Sequence, residues 1–140
     1  MSDNLLLEIV TPEETVYSSR VGQVVLPSTE GEMGILPGHV PVLTTLNAGE
    51  LAVTTEGGAG EMLAIGRGFA QIIGDKVSVV TEGAINVDEI DLSAVEDAQA
   101  RAEKALADAA DQDMDPAEIE QLETVVRFAL AQKLAKEKRR

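Results

Sequence analysis

Glu30-Gly31-Glu32-Met33-Gly34-Ile35-Leu36-Pro37-Gly38-His39-Val40-Pro41-Val42-Leu43-Thr44-Thr45-Leu46 is the most heavily punctuated stretch of this 140-residue chain. Glycines at 31, 34 and 38 and prolines at 37 and 41 leave room only for short extended pieces joined by tight, rigid turns. The stretch holds the only histidine, His39, and sets Glu30 and Glu32 among apolar Met33, Ile35 and Leu36. So stiff a segment reads as a structural crossover or as a docking surface, and the flanking sequence has to separate the two.

Strand signals run outward from it in both directions, from residue 4 to about residue 86, as short apolar runs interrupted by glycine. Upstream, Leu5 to Val10 is a first strand ended by Thr11-Pro12. Val16 to Leu26 is a longer second one, with a break expected near Ser18-Ser19. Downstream, Glu50 to Thr55 and Glu61 to Ile65 are joined through Gly57-Gly58-Ala59-Gly60, and Phe69 to Ile73 and Val77 to Thr81 through Gly74-Asp75. A last short strand lies near Ala84 to Val87. This rhythm of strands and turns predicts an antiparallel sandwich or barrel.

The texture changes near Asp88, which divides the chain into residues 1–87 and 88–140. No glycine follows Gly83, and alanine takes over. Ser93-Ala94-Val95-Glu96 has the spacing of a capping box, while Asp91 is equally placed to cap the same helix. Val95, Ala98, Ala102, Ala105, Leu106 and Ala109 then share one helical face. After a polar turn over Asp111 to Asp115, the run Asp115-Pro116-Ala117-Glu118 starts a second helix, with the aspartate as cap and proline at the first position. Its expected apolar face is Ile119, Leu122, Val126, Ala129, Leu130 and Leu134. Two amphipathic helices joined by a short turn make an antiparallel hairpin, which is either a small cap on the sandwich or a movable arm.

Composition excludes several functions. Tyr17, Phe69 and Phe128 are the only aromatic residues, so the core must be aliphatic and no stacking platform for nucleic acid exists. A formal net charge of -14 argues against phosphate backbones a second time. With no cysteine there is no disulfide, thiolate metal site or cysteine nucleophile. Neither a long apolar run nor a charged-then-apolar leader is present, so no membrane insertion and no signal peptide are expected. Charge is uneven: residues 86–126 carry thirteen acids against Arg101 and Lys104, whereas residues 127–140 carry Arg127, Lys133, Lys136, Lys138, Arg139 and Arg140 against Glu137 alone. A basic end on an acidic protein fits an acidic partner surface, or complements a helix dipole.

Catalytic motifs are missing. Gly66-Arg67-Gly68 is too short for a phosphate-cradling loop, one histidine cannot build a multi-histidine metal site, and nothing brings a serine and an aspartate to His39. Lys76, close to the Gly74-Asp75 turn, resembles the lysine that lipoyl and biotinyl carrier domains present at a hairpin tip. That carrier reading leaves the helical tail without a purpose.

As a whole the chain resembles the epsilon subunit of the F-type ATP synthase, called delta in mitochondria. The likeness rests on the opening Leu-Glu-Ile-Val-Thr-Pro strand, the Glu-Gly-Glu-Met-Gly-Ile-Leu-Pro-Gly-His-Val-Pro-Val-Leu-Thr signature, the Gly-Arg-Gly-Phe-Ala-Gln-Ile strand and the two-helix tail. It implies a β-sandwich of two five-stranded antiparallel sheets followed by a C-terminal α-helical hairpin. It implies a non-catalytic place in the central stalk, beside the gamma subunit and resting on the c-ring, with no cofactor and no metal. Glu32, Met33, Gly34 and His39 are then the expected contacts with gamma and the ring. In that family the tail lies folded against the sandwich or extends along gamma into the alpha/beta catalytic head, where it restrains ATP hydrolysis, and Arg127, Lys133, Lys136, Lys138, Arg139 and Arg140 are the contacts the likeness implies for the extended form.

One departure from the family pattern bears on regulation. Some bacterial members bind ATP through Ile/Leu-Asp-x-x-Arg-Ala at the start of the first tail helix. Here Ile90-Asp91-Leu92-Ser93-Ala94-Val95 keeps the aspartate and places Ala94 where the arginine belongs, which removes the strongest phosphate donor. Weak or absent ATP binding is the expectation. A start at Met1-Ser2 without a transit peptide points to a bacterial chain on the cytoplasmic face of the inner membrane, or to a plastid chain on the stromal side of the thylakoid.

Overall fold

The computed structural model describes residues 4–109 and 113–138. Among them are nine strands, β1 (Leu5–Val10), β2 (Thr15–Ser28), β3 (Gly31–Ile35), β4 (Val42–Leu46), β5 (Gly49–Thr55), β6 (Gly60–Ile65), β7 (Gly68–Ile73), β8 (Lys76–Thr81) and β9 (Ala84–Asn86). A single 3₁₀ turn, Val87–Glu89, leads into α1 (Leu92–Ala109) and α2 (Pro116–Lys138). The expected turn over Asp111 to Asp115 lies partly outside the described residues, as do Arg139 and Arg140.

The long strand β2 belongs to two sheets. Its first half runs antiparallel to β1, and its second half lies between β3 and β5. One five-stranded layer is therefore β2-β1-β8-β7-β4, and the other is β3-β2-β5-β6-β9. The change of sheet falls at Gly22, where the register with β5 slips between Val21 and Gln23. The break expected at Ser18-Ser19 is not there, because both serines stay in register with Glu8 and Leu7. A bulge at glycine bends a strand from one layer to the next more readily than two serines in a regular ladder. All pairings are antiparallel except β1 with β8, which is parallel and joins the start of the sandwich to its last hairpin.

Period-2 alternation fills the space between the layers. Leu5, Leu7 and Ile9 of β1 are fully buried, as are Leu51, Ile65 and Ile72. The core has no aromatic side chain, as composition required. Several such side chains at about 1.5–3 kcal/mol each give the sandwich a firm hydrophobic basis.

The hairpin sits on the β5–β6 side of the sandwich through α2. A second small cluster forms there from Ala64, Val87, Ile90, Val95, Ala129 and Ala135, with Phe128 packed at its edge. On α1, Val95 and Ala102 are buried as expected. On α2 the expected face holds as far as Ala129, which is buried, with Ile119, Leu122 and Val126 half-buried, but beyond it Ala131 and Ala135 turn inward while Leu130 and Leu134 are 46% and 59% exposed. Small side chains let the helix lie close to the sheet, and leucines in their place would hold it off.

Both helix starts are capped by aspartate. Asp91 Oδ1 accepts from the N–H groups of Ser93 and Ala94 at 3.0 and 3.3 Å, so Asp91 rather than Ser93 caps α1. Asp115 Oδ1 accepts from Ala117 N–H at 2.9 Å, with Pro116 at the first helical position.

Candidate functional site

Two groups of residues stand out in the sequence, the punctuated stretch and the basic end. In the stretch, Gly31 and Gly38 adopt φ of 115° and 86°, values that L side chains rarely take, so the turns depend on them. Gly34 lies within β3 opposite Val25 and has no such need. Met33 is half-buried and packs against the core, which makes it an anchor for the strand. Glu32 is exposed on β3 opposite Pro27 and borders a groove of about 300 Å³ that also touches Glu50, Leu134 and Lys138. His39 lies past the far end of β3. Its N–H donates to the Leu36 carbonyl at 3.1 Å, and its Nδ1–H donates to the Val40 carbonyl at 2.7 Å. The Gly38 N–H donates to Asp75 Oδ1 at 2.9 Å, which ties this turn to the β7–β8 connection. The structure thus distributes the four candidates: Glu32 beside the tail groove, His39 beside Asp75.

What surrounds the His39 turn is apolar and exposed. Leu43 and Ile73 are 69% and 58% exposed, and with Pro41 they line a shallow depression of about 260 Å³. The outer face of the same layer continues through Phe69, which stands opposite both Thr45 and Val80, and Leu36 and Val40 are also exposed. Sequence reasoning missed this face, although a signal existed. A strand with one wet face should alternate, whereas Phe69-Ala70 and Ile72-Ile73 in β7 and Val79-Val80 in β8 are apolar on both sides.

Each cation of the basic end, as far as it is described, has at least one partner, although Arg127 Nε is buried without one. Arg127 Nη2 lies 3.0 Å from Glu82 Oε1 and 3.4 Å from Glu120 Oε1. Lys133 Nζ donates to Gln99 Oε1 on α1 at 3.3 Å, and Lys136 Nζ to the Val87 carbonyl at 3.2 Å. Lys138 Nζ lies 3.6 Å from Glu50 on β5. Arg139 and Arg140 are outside the described residues.

Other candidates take structural roles. Lys76 is not at a hairpin tip: it is the first residue of β8, and its Nζ lies 2.8 Å from Glu8. Gly66-Arg67-Gly68 serves close packing, since a Cβ on Gly68 would lie 1.9 Å from the Val80 carbonyl oxygen. Asp91, the surviving acid of the ATP motif, uses its carboxylate on the α1 amides, and Ala94 beside it is exposed. Tyr17 donates to Glu61 at 3.3 Å beside an open cavity of about 530 Å³, and burial, with the Glu61 charge adding to it, raises its pKa above the ordinary value. Among the described residues no cluster of acids, histidines or cysteines could hold a metal, and no helix is long and apolar enough to cross a membrane.

Comparisons with known proteins agree on one family. The family model for the ATP synthase Delta/Epsilon chain, beta-sandwich domain, matches residues 4–87. The ATP synthase epsilon chain of Koribacter versatilis is 40% identical over 106 residues, covering 76% of this chain and 74% of that one. The epsilon chain of Parvibaculum lavamentivorans is 33% identical over 123 residues, covering 88% of this chain and 93% of its own length. Among solved structures, a chain of the Euglena gracilis mitochondrial ATP synthase, in an assembly of OSCP, F1 and c-ring, matches 96% of this chain with a TM-score of 0.68 and 26% identity, covering 82% of that chain. A chain of the Tetrahymena thermophila mitochondrial ATP synthase central stalk and c-ring has a TM-score of 0.50 at 13% identity, over 61% of this chain and 68% of that one, and shares the fold alone.

Proposed function

The chain belongs to the delta/epsilon family of F-type ATP synthase subunits, and we propose that it works in the central stalk as a non-catalytic rotor subunit that couples gamma to the c-ring. The observation that carries this reading is the apolar outer face of β4, β7 and β8. On an acidic protein, exposed Leu43, Ile73, Phe69 and Val80, grouped around the polar Gln71, mark a surface that a partner covers. The gamma subunit is the partner that suits it, with the His39 turn and Glu32 facing gamma and the ring. Rigid backbone suits a contact that bears torque, and the Gly38–Asp75 bond and the two positive-φ glycines supply that rigidity. Held in this way, the subunit lies at the membrane surface through its partners, on the cytoplasmic face of a bacterial inner membrane or the stromal side of a thylakoid.

Residues 88–140 form a separable arm in this reading. It restrains wasteful hydrolysis by leaving the sandwich and offering its cations to the alpha/beta head. The alanine contact surface of α2 and its exposed leucines support an arm that exchanges partners. Two experiments test the reading. Leu43→Asp combined with Ile73→Asp, both at exposed positions, should abolish copurification with gamma while the chain still folds, and undiminished copurification rejects that face. Deleting residues 88–140 should raise the ATPase activity of the assembled complex, and unchanged activity rejects inhibition by the arm.

A further inference from the structure

The turn between β8 and β9 consists of Glu82 and Gly83, and it meets two consecutive residues of α2, Arg127 and Phe128. Glu82 is held by bonds that do not involve the helix. Its own N–H donates to the Arg67 carbonyl at 3.0 Å, and its Oε2 accepts from the Arg67 N–H at 3.2 Å. Thr81 below it is buried, with Oγ1 2.9 Å from the Gly66 carbonyl, so the carboxylate stands on a rigid base. From there Glu82 Oε1 accepts from Arg127 Nη2 at 3.0 Å and from Arg67 Nη2 at 3.4 Å. Glu120 of α2 completes the square through Arg67 at 3.1 Å, and Thr124 Oγ1 accepts from Arg127 at 3.0 Å.

Gly83 contributes by what it lacks. A Cβ there would lie 2.7 Å from Cε2 and 2.9 Å from Cδ2 of Phe128, inside the contact distance of two carbons. Its φ is not in the left-handed region, so backbone conformation does not require glycine, and the aromatic ring is the reason that fits. Elsewhere α2 meets the sandwich through alanines and through the peripheral bonds of Lys136 and Lys138, the latter side chain 73% exposed.

We propose that the Glu82-Gly83 turn is a two-part clasp that sets how long the hairpin stays on the sandwich, with the carboxylate holding Arg127 and the missing Cβ seating Phe128. The clasp has a consequence for switching. An acidic partner surface that draws Arg127 away replaces one carboxylate by another, so the exchange is close to balanced in charge, and the phenyl socket is left, with the buried alanines, as the resistance to opening. That consequence for hydrolysis rests on the proposed inhibition by the arm; the clasp itself belongs to the isolated chain and is tested there.

Hydrogen exchange on the full-length chain provides the test. Gly83→Ala should accelerate exchange over residues 116–138 on the order of tenfold, through more frequent local opening, while β1 and β7 keep their protection. Glu82→Gln should give a smaller acceleration that shrinks as added salt screens the ion pairs of the unaltered chain. In a Phe128→Ala background, Gly83→Ala should add nothing, because the ring it collides with is gone. Unchanged α2 exchange in Gly83→Ala, or an acceleration that persists in the Phe128→Ala background, overturns the clasp; unchanged exchange in Glu82→Gln at low salt overturns its ionic half. None of these outcomes depends on whether deleting the arm alters ATPase activity, so failure of the clasp and failure of the inhibition reading are separately visible.

Discussion

The sandwich and the hairpin are built from the same aliphatic alphabet and hold together by different means. In the sandwich, leucines, isoleucines and valines from both layers meet in a core from which solvent is absent. In the hairpin, alanines face the sandwich while Leu130 and Leu134 of α2 face water, and a handful of polar contacts fix position. A core of buried branched side chains resists every local perturbation together, whereas an alanine surface and a few half-buried or peripheral ion pairs can be given up piecemeal. The difference suits the proposed role, in which one part couples gamma to the ring without yielding and the other exchanges partners.

Core truncation breaks the comparison on its stronger side. Leu7 is fully buried in β1, between β2 and β8, and Leu7→Ala should cost about 2–5 kcal/mol in urea unfolding of the whole chain. A loss well below that range would show that the sandwich is not the stable half. The hairpin is expected to respond more weakly. Asp91→Ala removes the acceptor for the Ser93 and Ala94 N–H groups and should cost α1 about 1 kcal/mol. The measurement is hydrogen exchange over residues 92–109, and the sandwich amides should stay as they were. ATP titration by calorimetry belongs with it, since a carboxylate occupied by the helix start and an Ala94 in place of arginine predict weak or no binding, and micromolar affinity would overturn that.

The same contrast explains which features were legible in the sequence. Strand positions, the aliphatic core and the Asp115-Pro116 helix start follow from local pattern, and the structure reproduces them. Pairings between distant strands do not follow: the parallel contact of β1 with β8 and the passage of β2 through both layers join residues far apart in the chain. Helical periodicity identified an apolar stripe on α2 and could not say which part of it turns inward, because the alanines lie one step round from the leucines. Packing against the sheet settled that choice in favour of the small side chains. Of the candidate site, composition singled out the stiff segment that carries Glu32 and His39 and left a crossover and a docking surface equally open. The apolar face beside His39, and the meeting of Glu82-Gly83 with Arg127-Phe128, depend on tertiary contact and left only a faint trace.

Tyr17 gives a smaller effect, and a pH-dependent one. It lies at the edge of the sandwich core and donates to Glu61, and burial followed by the Glu61 charge raises its pKa above 10.0. The protonated phenol is thus favoured in the folded chain. Its contribution is complete below pH 10.0 and is lost as pH rises through the higher folded-state value, because the unfolded chain ionises first. Tyr17→Phe should flatten the alkaline fall in stability and cost no more than about 0.5–1.5 kcal/mol near neutrality. As the only tyrosine, Tyr17 also reports its own titration by ultraviolet absorbance.

Least of all should depend on Leu134. At 59% exposure it has little burial to lose, so Leu134→Ser should change the stability of the isolated chain by no more than about 0.5 kcal/mol. A larger loss would mean that the leucine stripe is held against the sandwich after all, and the contrast between the two regions would weaken. If stability is unchanged while ATPase activity of the assembled complex rises, the side chain does its work only when the arm has left the sandwich. Leu130, one helical turn away and 46% exposed, should behave in the same way, and Ala135, which is fully buried against the sandwich, in the opposite one: Ala135→Leu should push α2 off the sheet and leave the proposed inhibition intact.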